Sequence, residues 1–416
     1  MRLFYSLFIR LYTLLIALFA TINGKAKLWI IGRKAWELKL KEIDFKRHEV
    51  FWFHCASLGE FEQGRPLIEE IKAIGKHKVL LTFFSPSGYE LRKNYAEADW
   101  VFYLPADTLN NAQFFIDTVE PKAVFFIKYE FWFNYLYVLR LKSIPVFLVS
   151  GIFRENQYFF KWYGAWAAKQ LSAFSYFFVQ NQKSYELLIS LGYKNALLAG
   201  DTRFDRVVQI KQQRKTFDHI DNFVKHAHVC VAGSTYLEDE KILHYTLKQG
   251  LDAGINMKLM IAPHVVSSER INEIERIFGK EECIRFSELK NNEQIKNVLI
   301  IDNIGMLSSL YAYAHTAYIG GGLGKGIHNT LEAAVYSIPI VFGANYQKFD
   351  EAKALVNEGA AFVVRNEKEL FQSMNKLFSD EILIKTMGAK SGAYVAEKQG
   401  AISIIMKELK HKKIIN

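Results

Sequence analysis

Two stretches of this chain set side chains at spacings that could do chemistry. The first, H-C-A-S-L-G-E at 54–60, follows an apolar run and leads into an amphipathic one carrying Pro66, Leu67 and Ile71. It places one carboxylate, Glu60, beside Ser57 and Gly59 near a helix start. A carboxylate there can serve as general base toward a hydroxyl, or can simply complement the helix dipole. Cys55-x-Ser57-x-Gly59 approaches the G-x-S-x-G nucleophile elbow but lacks its first glycine, which argues against a serine hydrolase.

The second, G-G-G-L-G-K-G-I-H-N-T-L-E at 320–332, lies between a strand pattern and a helix pattern running toward Ser337. Glycines let backbone N–H groups approach an anion, and a helix amino terminus favours negative charge. Neither nucleotide fingerprint fits. A Walker motif needs Ser or Thr where Gly326 stands and Gly where Ile319 stands, and G-x-G-x-x-G fails in every register. Two readings stay open. In one, Glu332 reaches a ribose diol while Gly326, His328 and Asn329 face a phosphate. In the other, Asn329 is a plain N-cap whose capping box Glu332 completes.

Single positions worth following are Glu130 in K-Y-E-F-W, Arg203 in G-D-T-R-F-D, Ser234 in A-G-S-T and His264 in A-P-H, each also readable as a cap, a turn or a solvated charge. No H-E-x-x-H and no clustered His or Cys set exists, so neither a metal nor another cofactor is expected. The segment 153–166 (FRENQYFFKWYGAW) reads as core and interdomain packing.

The elements that must hold these loops follow from periodicity. From residue 50 short β-branched or aromatic runs alternate with charged amphipathic stretches, the pattern of βαβ units. Strands are predicted at 50–54, 79–84, 123–127, 145–149 and 174–179. After a polar stretch around 206–226 they resume at 228–232, 258–262, 297–301, 316–319, 338–342 and 361–364, with helix from about 380 to 416. The fold class is α/β, with two Rossmann-like doubly wound domains facing a cleft at the carboxyl ends of their strands. The boundaries read as an amino-terminal membrane or interfacial helix at 1–24, a first domain at 25–210, a linker at 211–226, a second domain at 227–390 and a terminal helical segment at 391–416.

Residues 3–22 (LFYSLFIRLYTLLIALFATI) would form a helix ~30 Å long, one hydrocarbon thickness. Arg10 at mid-bilayer would cost ~2.5–3.5 kcal/mol, and Ser6, Arg10, Thr13 and Ala17 make a narrow polar stripe. A helix lying in the interface therefore fits as well as a span. Lys25, Lys27, Arg33 and Lys34 follow directly, favouring an anchor with a cytoplasmic domain behind it over a cleaved signal peptide.

Across 416 residues, half of them hydrophobic, 53 Lys and Arg stand against 43 Asp and Glu, a net charge of +10. This is a globular composition that excludes disorder and collagen and points to anionic partners. The excess is spread along the chain without any RNP-like or zinc-finger pattern, so no nucleic acid is expected. Cys55, Cys230 and Cys283 are too few and too scattered for a disulfide framework.

The loops in order resemble the Kdo transferases of lipid A biosynthesis, which move 3-deoxy-D-manno-octulosonic acid (Kdo) from CMP-Kdo to a lipid A precursor. The resemblance rests on A-S-L-G-E at 56–60, T-F-F-S-P-S-G at 82–88, Y-L-P-A-D at 103–107, Y-E-F-W at 129–132, A-G-D-T-R-F-D at 199–205, A-G-S-T at 232–235, H-N-T-L-E at 328–332 and F-G-A-N-Y-Q-K-F at 342–349. It implies a GT-B glycosyltransferase fold. The acceptor would sit on the first domain, CMP on the second, and the final helix would cross back to the first. Catalytic roles map to Glu60 as base, Glu130, and Arg203 where many relatives have Lys. Substrate-binding positions map to Ser57, Gly59, Pro263, His264, Gly305, Met306, Leu307, Gly326, His328, Asn329, Thr330, Leu331 and Glu332. His264 and Met306 depart from the Arg and Glu usual in relatives. Implied partners are the CMP-Kdo donor, a phosphorylated lipid A precursor and the cytoplasmic face of a bacterial inner membrane. Two other classes stay open: a GT-B enzyme using a UDP sugar, and a non-enzymatic membrane-associated nucleotide-binding protein.

Overall fold

The computed structural model describes residues 1–217, 219–289 and 296–416. The chain divides into two units, Met1–Arg206 with Gln399–Asn416, and Val207–Lys398.

The first unit holds a sheet ordered β3-β2-β1-β4-β5-β6-β7. Its strands are β1 (Val50–Cys55), β2 (Lys78–Phe83), β3 (Trp100–Tyr103), β4 (Ala123–Ile127), β5 (Val146–Gly151), β6 (Tyr176–Val179) and β7 (Ala196–Leu198). The second unit holds a sheet ordered β10-β11-β9-β8-β12-β13-β14. Its strands are β8 (His228–Thr235), β9 (Met257–Pro263), β10 (Cys283–Arg285), β11 (Val298–Ile300), β12 (Thr316–Ile319), β13 (Ile340–Gly343) and β14 (Ala361–Val364). Every strand pairing in both sheets is parallel. The expected doubly wound α/β class is therefore what the chain adopts. The structure adds β3, β7 and β10, which the sequence pattern did not predict.

Central strands read as continuous apolar runs because both faces of each sheet are covered. Along β1 the period of two sends Phe51, Phe53 and Cys55 into one core and Val50 and Trp52 into the other. His54, next on the Trp52 side, is fully buried at the carboxyl end of the strand.

The helices that place the sites are α1 (Arg2–Phe19), α2 (Leu58–Ala73), α3 (Phe133–Leu141), α4 (Thr202–Gln212), α5 (Leu237–Asp252), α6 (Leu331–Ala334) and α7 (Ala401–His411). Within 211–226, read from sequence as a linker, Ile220–Val224 is helical, and the amides of Lys215 and Phe217 bond to Ser309 and Tyr313 of the second unit. That stretch belongs to the second unit, apart from position 218, which lies outside the described residues. The terminal helix α7 packs Ile402, Ile405 and Leu409 into the first unit's core, and the Asp205 carboxylate accepts from the Gly400 and Ala401 amides at its start.

Helix α1 is long and apolar enough to cross a membrane, yet it docks on the first unit through its polar side. Tyr5 donates to Asp107 at 2.6 Å, Ser6 meets Asn134, and the Arg2 guanidinium lies 3.2 Å from the Tyr137 ring centroid. Leu3, Phe4, Leu7, Phe8, Leu14 and Leu18 point outward and are exposed. The expected stripe needs correction: Ser6 and Thr13 turn inward, whereas Arg10 and Ala17 are exposed, because the inward face is set by Tyr5, Ser6, Ile9 and Thr13. The reading of 153–166 as packing holds for Phe153 and Phe159 but not for Trp162 and Tyr163, which are 93% and 59% exposed. The turn that carries those two rings is tied by the Gly164 amide to the Lys161 carbonyl.

Candidate active site

Both sheets reverse their winding once, between β1 and β4 in the first and between β8 and β12 in the second. Ligands of doubly wound sheets bind at such switch points, outside the carboxyl ends of the strands. The sequence-predicted loops fall there in both units.

In the first unit, Ser57 caps α2 and forms a capping box with Glu60, whose Oε2 accepts from the Ser57 amide at 2.7 Å and hydroxyl at 2.9 Å. Glu60 thus stands at the helix start as read from sequence, and the capping box also fixes its rotamer. Burial first, and the charge of Glu130 second, push the half-buried Glu60 above the ordinary carboxylate range, outweighing the pull of its Ser57 bonds. Gly59 is exposed on the same turn.

Glu130 arrives from β4 across a tight turn in which Lys128 takes a left-handed conformation, φ 71°. A non-glycine residue held there costs about 1–3 kcal/mol, a strain typical of functional turns. The Glu130 carboxylate is buried, accepts from Trp132 Nε1 at 2.6 Å, and lies 3.3 Å from His54 Nε2. Sequence reasoning named the H-C-A-S-L-G-E stretch without singling out His54. Its spacing from Glu130 in the chain gave no signal, because the two meet only through β1–β4 pairing.

Arg203 sits in the first turn of α4, with Nε 2.9 Å and an Nη 2.8 Å from Asp201 Oδ2. Asp201 is itself buried and takes a further donor from Gln63 of α2. Thr202 Oγ1 donates to the Gln63 carbonyl at 2.6 Å, so α4 starts locked onto α2. The D-T-R-F-D sequence thus divides its labour: Asp201 holds Arg203, and Asp205 holds α7.

In the second unit, loops after β8, β9 and β12 bring together Tyr236, His264 and His328. The two imidazoles stack with centroids 4.5 Å apart, and Tyr236 lies 5.1 Å from His264 and 5.6 Å from His328. The His328 Nε2 and Tyr236 hydroxyl are 3.2 Å apart. Burial, helped by His264, lowers His328 to about 4, and burial with the nearby Lys325 lowers His264. These rings are neutral near pH 7. They offer flat faces and, on each ring, one N–H donor and one acceptor nitrogen. Exposed Lys325, 5.5 Å from the Tyr236 ring centroid, is the cation of this loop.

The glycine run has a packing reason the sequence did not reveal. A Cβ on Gly320 would lie 2.3 Å from the Ser234 carbonyl oxygen, one on Gly321 2.4 Å from the Gly326 oxygen, and one on Gly322 2.6 Å from the Gly343 nitrogen. Gly324 alone among Gly320, Gly321, Gly322, Gly324 and Gly326 has open space around its Cβ position. The following helix is also shorter than expected. Leu331–Ala334 is one turn capped at Thr330, with Asn329 outside it, so the capping box that was one of the two readings of Asn329 and Glu332 does not form. Asn329 Nδ2 instead donates to Glu332 Oε1 at 2.9 Å, and its Oδ1 accepts from the Leu331 amide. Leu331 and Thr330 are buried.

Gly305, at φ 88°, turns the chain into buried Met306 and then Leu307. The Leu307 methyls and the Tyr311 hydroxyl occupy the space a side chain on Gly233 would take. Gly305-Met306-Leu307 is thus seated at the end of β8, beside Ser234. Asp239, which sequence reasoning missed, ties the switch point together by accepting from the Tyr236 and Gly321 amides, each at 2.9 Å, and from Tyr318 at 2.7 Å. Its signal was its place three residues after Tyr236, the capping-box offset. Pro263 closes β9 immediately before His264. Among the described residues no group of three His, Cys, Asp or Glu side chains could hold a metal ion.

Residues 34–206, which contain Glu60, Glu130 and Arg203, match the family model for 3-deoxy-D-manno-octulosonic-acid transferase (kdotransferase). Curated relatives carry the likeness across most of the rest. The 3-deoxy-D-manno-octulosonic acid transferase of Aquifex aeolicus (strain VF5) is 29% identical over 339 residues, covering 80% of this chain and 87% of its own. That of Haemophilus influenzae (strain ATCC 51907 / DSM 11121 / KW20 / Rd) is 24% identical over 369 residues, covering 86% of each. The chain carries the kdotransferase family domain over residues 34–206 and is similar to Kdo transferases over most of its length. Its fold is GT-B. The UDP-GlcNAc 2-epimerase of Neisseria meningitidis, solved with UDP-GlcNAc, superposes with a TM-score of 0.61 at 15% identity over 87% of this chain and 99% of that one. At that identity the likeness speaks for the fold alone. Within the family match, the first unit contributes carboxylates and a guanidinium; the neutral ring cluster lies outside it.

Proposed function

We propose that this protein moves Kdo from CMP-Kdo to a hydroxyl of a phosphorylated lipid A precursor with inversion, at the cytoplasmic face of a bacterial inner membrane. The observation that carries the reading is the placement of Glu60 and Glu130 after the two strands of the β1/β4 switch point, where burial and the charge of Glu130 raise the proton affinity of Glu60. Glu60 takes the proton from the acceptor hydroxyl as its oxygen bonds to the anomeric carbon, and the bond to the CMP phosphate oxygen breaks with its electron pair leaving on CMP. A general base of this kind supplies ~10²–10⁴-fold. Arg203, held by Asp201, offers positive charge where negative charge is redistributed. In the second unit Lys325 and the loop amides suit the phosphate, and the Tyr236, His264 and His328 rings suit the flat base. Helix α1, polar side inward and apolar side outward, would lie in the lipid interface, with Lys25 and Lys27 placed to meet anionic headgroups.

The test is to incubate the purified protein with a tetraacylated lipid A precursor and CMP-Kdo generated in situ, then weigh the lipid. A gain of one or more Kdo masses is the expected result. No gain, with UDP rather than CMP raising the thermal transition, would overturn it in favour of a UDP-sugar enzyme. Membrane seating is checked by flotation with phosphatidylglycerol-containing vesicles, where the protein should float and a variant with Leu7, Leu11, Leu14 and Leu18 all changed to Ser should not.

A further inference from the structure

We infer that His54 is the positioning residue that holds Glu130 for its work beside Glu60, and that Thr82 and Trp52 set the proton on the His54 ring. The inference rests on the assignment of Glu60 and Glu130 to the reaction. It concerns a residue that is itself fully buried.

His54 and Thr82 are register partners on β1 and β2, and the ring Nδ1 lies 2.9 Å from Thr82 Oγ1. Trp52 Nε1 donates to the same oxygen at 2.8 Å. The Thr82 hydroxyl has one proton and two acceptors in reach, His54 Nδ1 and, at a longer 3.3 Å, the Phe53 carbonyl. Given to Nδ1, that proton leaves the His54 hydrogen on Nε2, facing Glu130 Oε2 at 3.3 Å. The other tautomer would set a nitrogen lone pair against a carboxylate oxygen in a fully buried site, which desolvation makes costly. Nε2 makes no hydrogen bond in this structure, so its contact with Glu130 is the electrostatic one at 3.3 Å. Trp132 Nε1 donates to the same Oε2. Both donors act on one oxygen and leave Oε1 directed by them without a bond of its own among the described residues. The Trp132 ring, 5.8 Å from that of His54 at 77°, keeps the imidazole from turning away.

The titratable groups coupled to the pair are Glu60 of α2 and the Cys55 thiol of β1, which burial first, and then Glu60, Glu130 and Glu62, push well above its ordinary value. Cys55 therefore keeps its proton throughout the range that matters. A donor at Nε2 stabilises the carboxylate pair when both members are ionised, so removing it should ease uptake of the first proton by the pair.

The experiment compares His54→Gln, whose amide nitrogen can stand where Nε2 stands, with His54→Asn, which reaches only the Nδ1 position, and with Thr82→Val. His54→Asn should lose on the order of 10–100-fold in kcat with KM for both substrates unchanged, and the acid limb of kcat/KM should move up by about one pH unit. His54→Gln should regain most of the rate and the original limb. Equal losses in Gln and Asn variants, tracking a fall in thermal transition, would overturn the inference and leave His54 a packing residue. Ring ¹⁵N shifts give a readout free of turnover. His54 should show the Nε2–H tautomer in the wild type and a mixture in Thr82→Val, and an Nδ1–H wild type would overturn it. Should the wild type fail to transfer Kdo, the function reading falls while the tautomer measurement still decides the role of His54.

Discussion

The two switch points share a topology and differ in how they are held. At β1/β4 the chain buries ionisable side chains and binds each with directed donors: Glu130 by Trp132, Asp201 by Arg203 and Gln63, Glu60 by Ser57. At β8/β12 it fits backbone against backbone through Gly320, Gly321, Gly322 and Gly343, and stacks half-buried Tyr236 and His328 with exposed His264 as neutral rings. Under the proposed function the difference follows from the work each end would do. A base must keep a raised proton affinity, which requires burial and a like charge nearby. A nucleotide platform must present surfaces without spending charge on its own walls.

The comparison predicts where single changes should hurt. The largest effect belongs to Glu60→Gln, which should cut kcat by ~10²–10⁴-fold while CMP affinity, measured by calorimetry, stays unchanged; substantial residual turnover would remove Glu60 as base. Next comes Gly321→Ala, which combines a left-handed φ of 89° with a 2.4 Å approach to the Gly326 oxygen. It should cost about 3 kcal/mol in denaturant unfolding of the second unit, whereas Gly324→Ala should stay within about 0.5 kcal/mol. Equal costs at the two glycines would mean that the run is not there for packing. On the charged side, Tyr5→Phe withdraws one donor from fully buried Asp107, which burial raises to about 6. Asp107 keeps the Asn134 and Tyr135 amides, so the loss should be about 1–2 kcal/mol by chemical unfolding.

The smallest effect is confined to a pH window. His328 falls from an ordinary 6.5 to about 4, so the folded protein resists protonating it. The stability this group contributes is present above pH 6.5 and is lost as pH falls toward 4. His328→Gln should flatten that part of the stability curve, and an unchanged slope would show that the ring stack is not a source of acid sensitivity.

Much of this architecture was legible from residue order. The buried central strands announce themselves as apolar runs, and Glu60 and Glu130 stand out as carboxylates directly after two of them. The three strands that escaped, Trp100–Tyr103, Ala196–Leu198 and Cys283–Arg285, all lie at sheet edges. An edge strand pairs on one side only and can be short and partly exposed, so its residues carry little pattern. The glycine run was legible as unusual but not as packing, since its neighbours Ser234 and Gly343 come from distant parts of the chain. His54 was hidden for the same reason, its partners being Thr82 on one neighbouring strand and Glu130 beyond the other. The docking face of α1 was not legible, because sequence periodicity shows a polar stripe without showing which residues meet Asp107 and Asn134.

The way α7 closes the first unit bears on how the chain is made. Ribosomal synthesis delivers residues 1–206 first, yet the Asp205 carboxylate and the apolar groove around it receive Gly400, Ile402, Ile405 and Leu409 only when the last residues emerge. The first unit is therefore completed only after the second has been made. Until then it must wait, half-closed, through translation of the whole second unit, a period in which its uncovered core face is open to wrong partners.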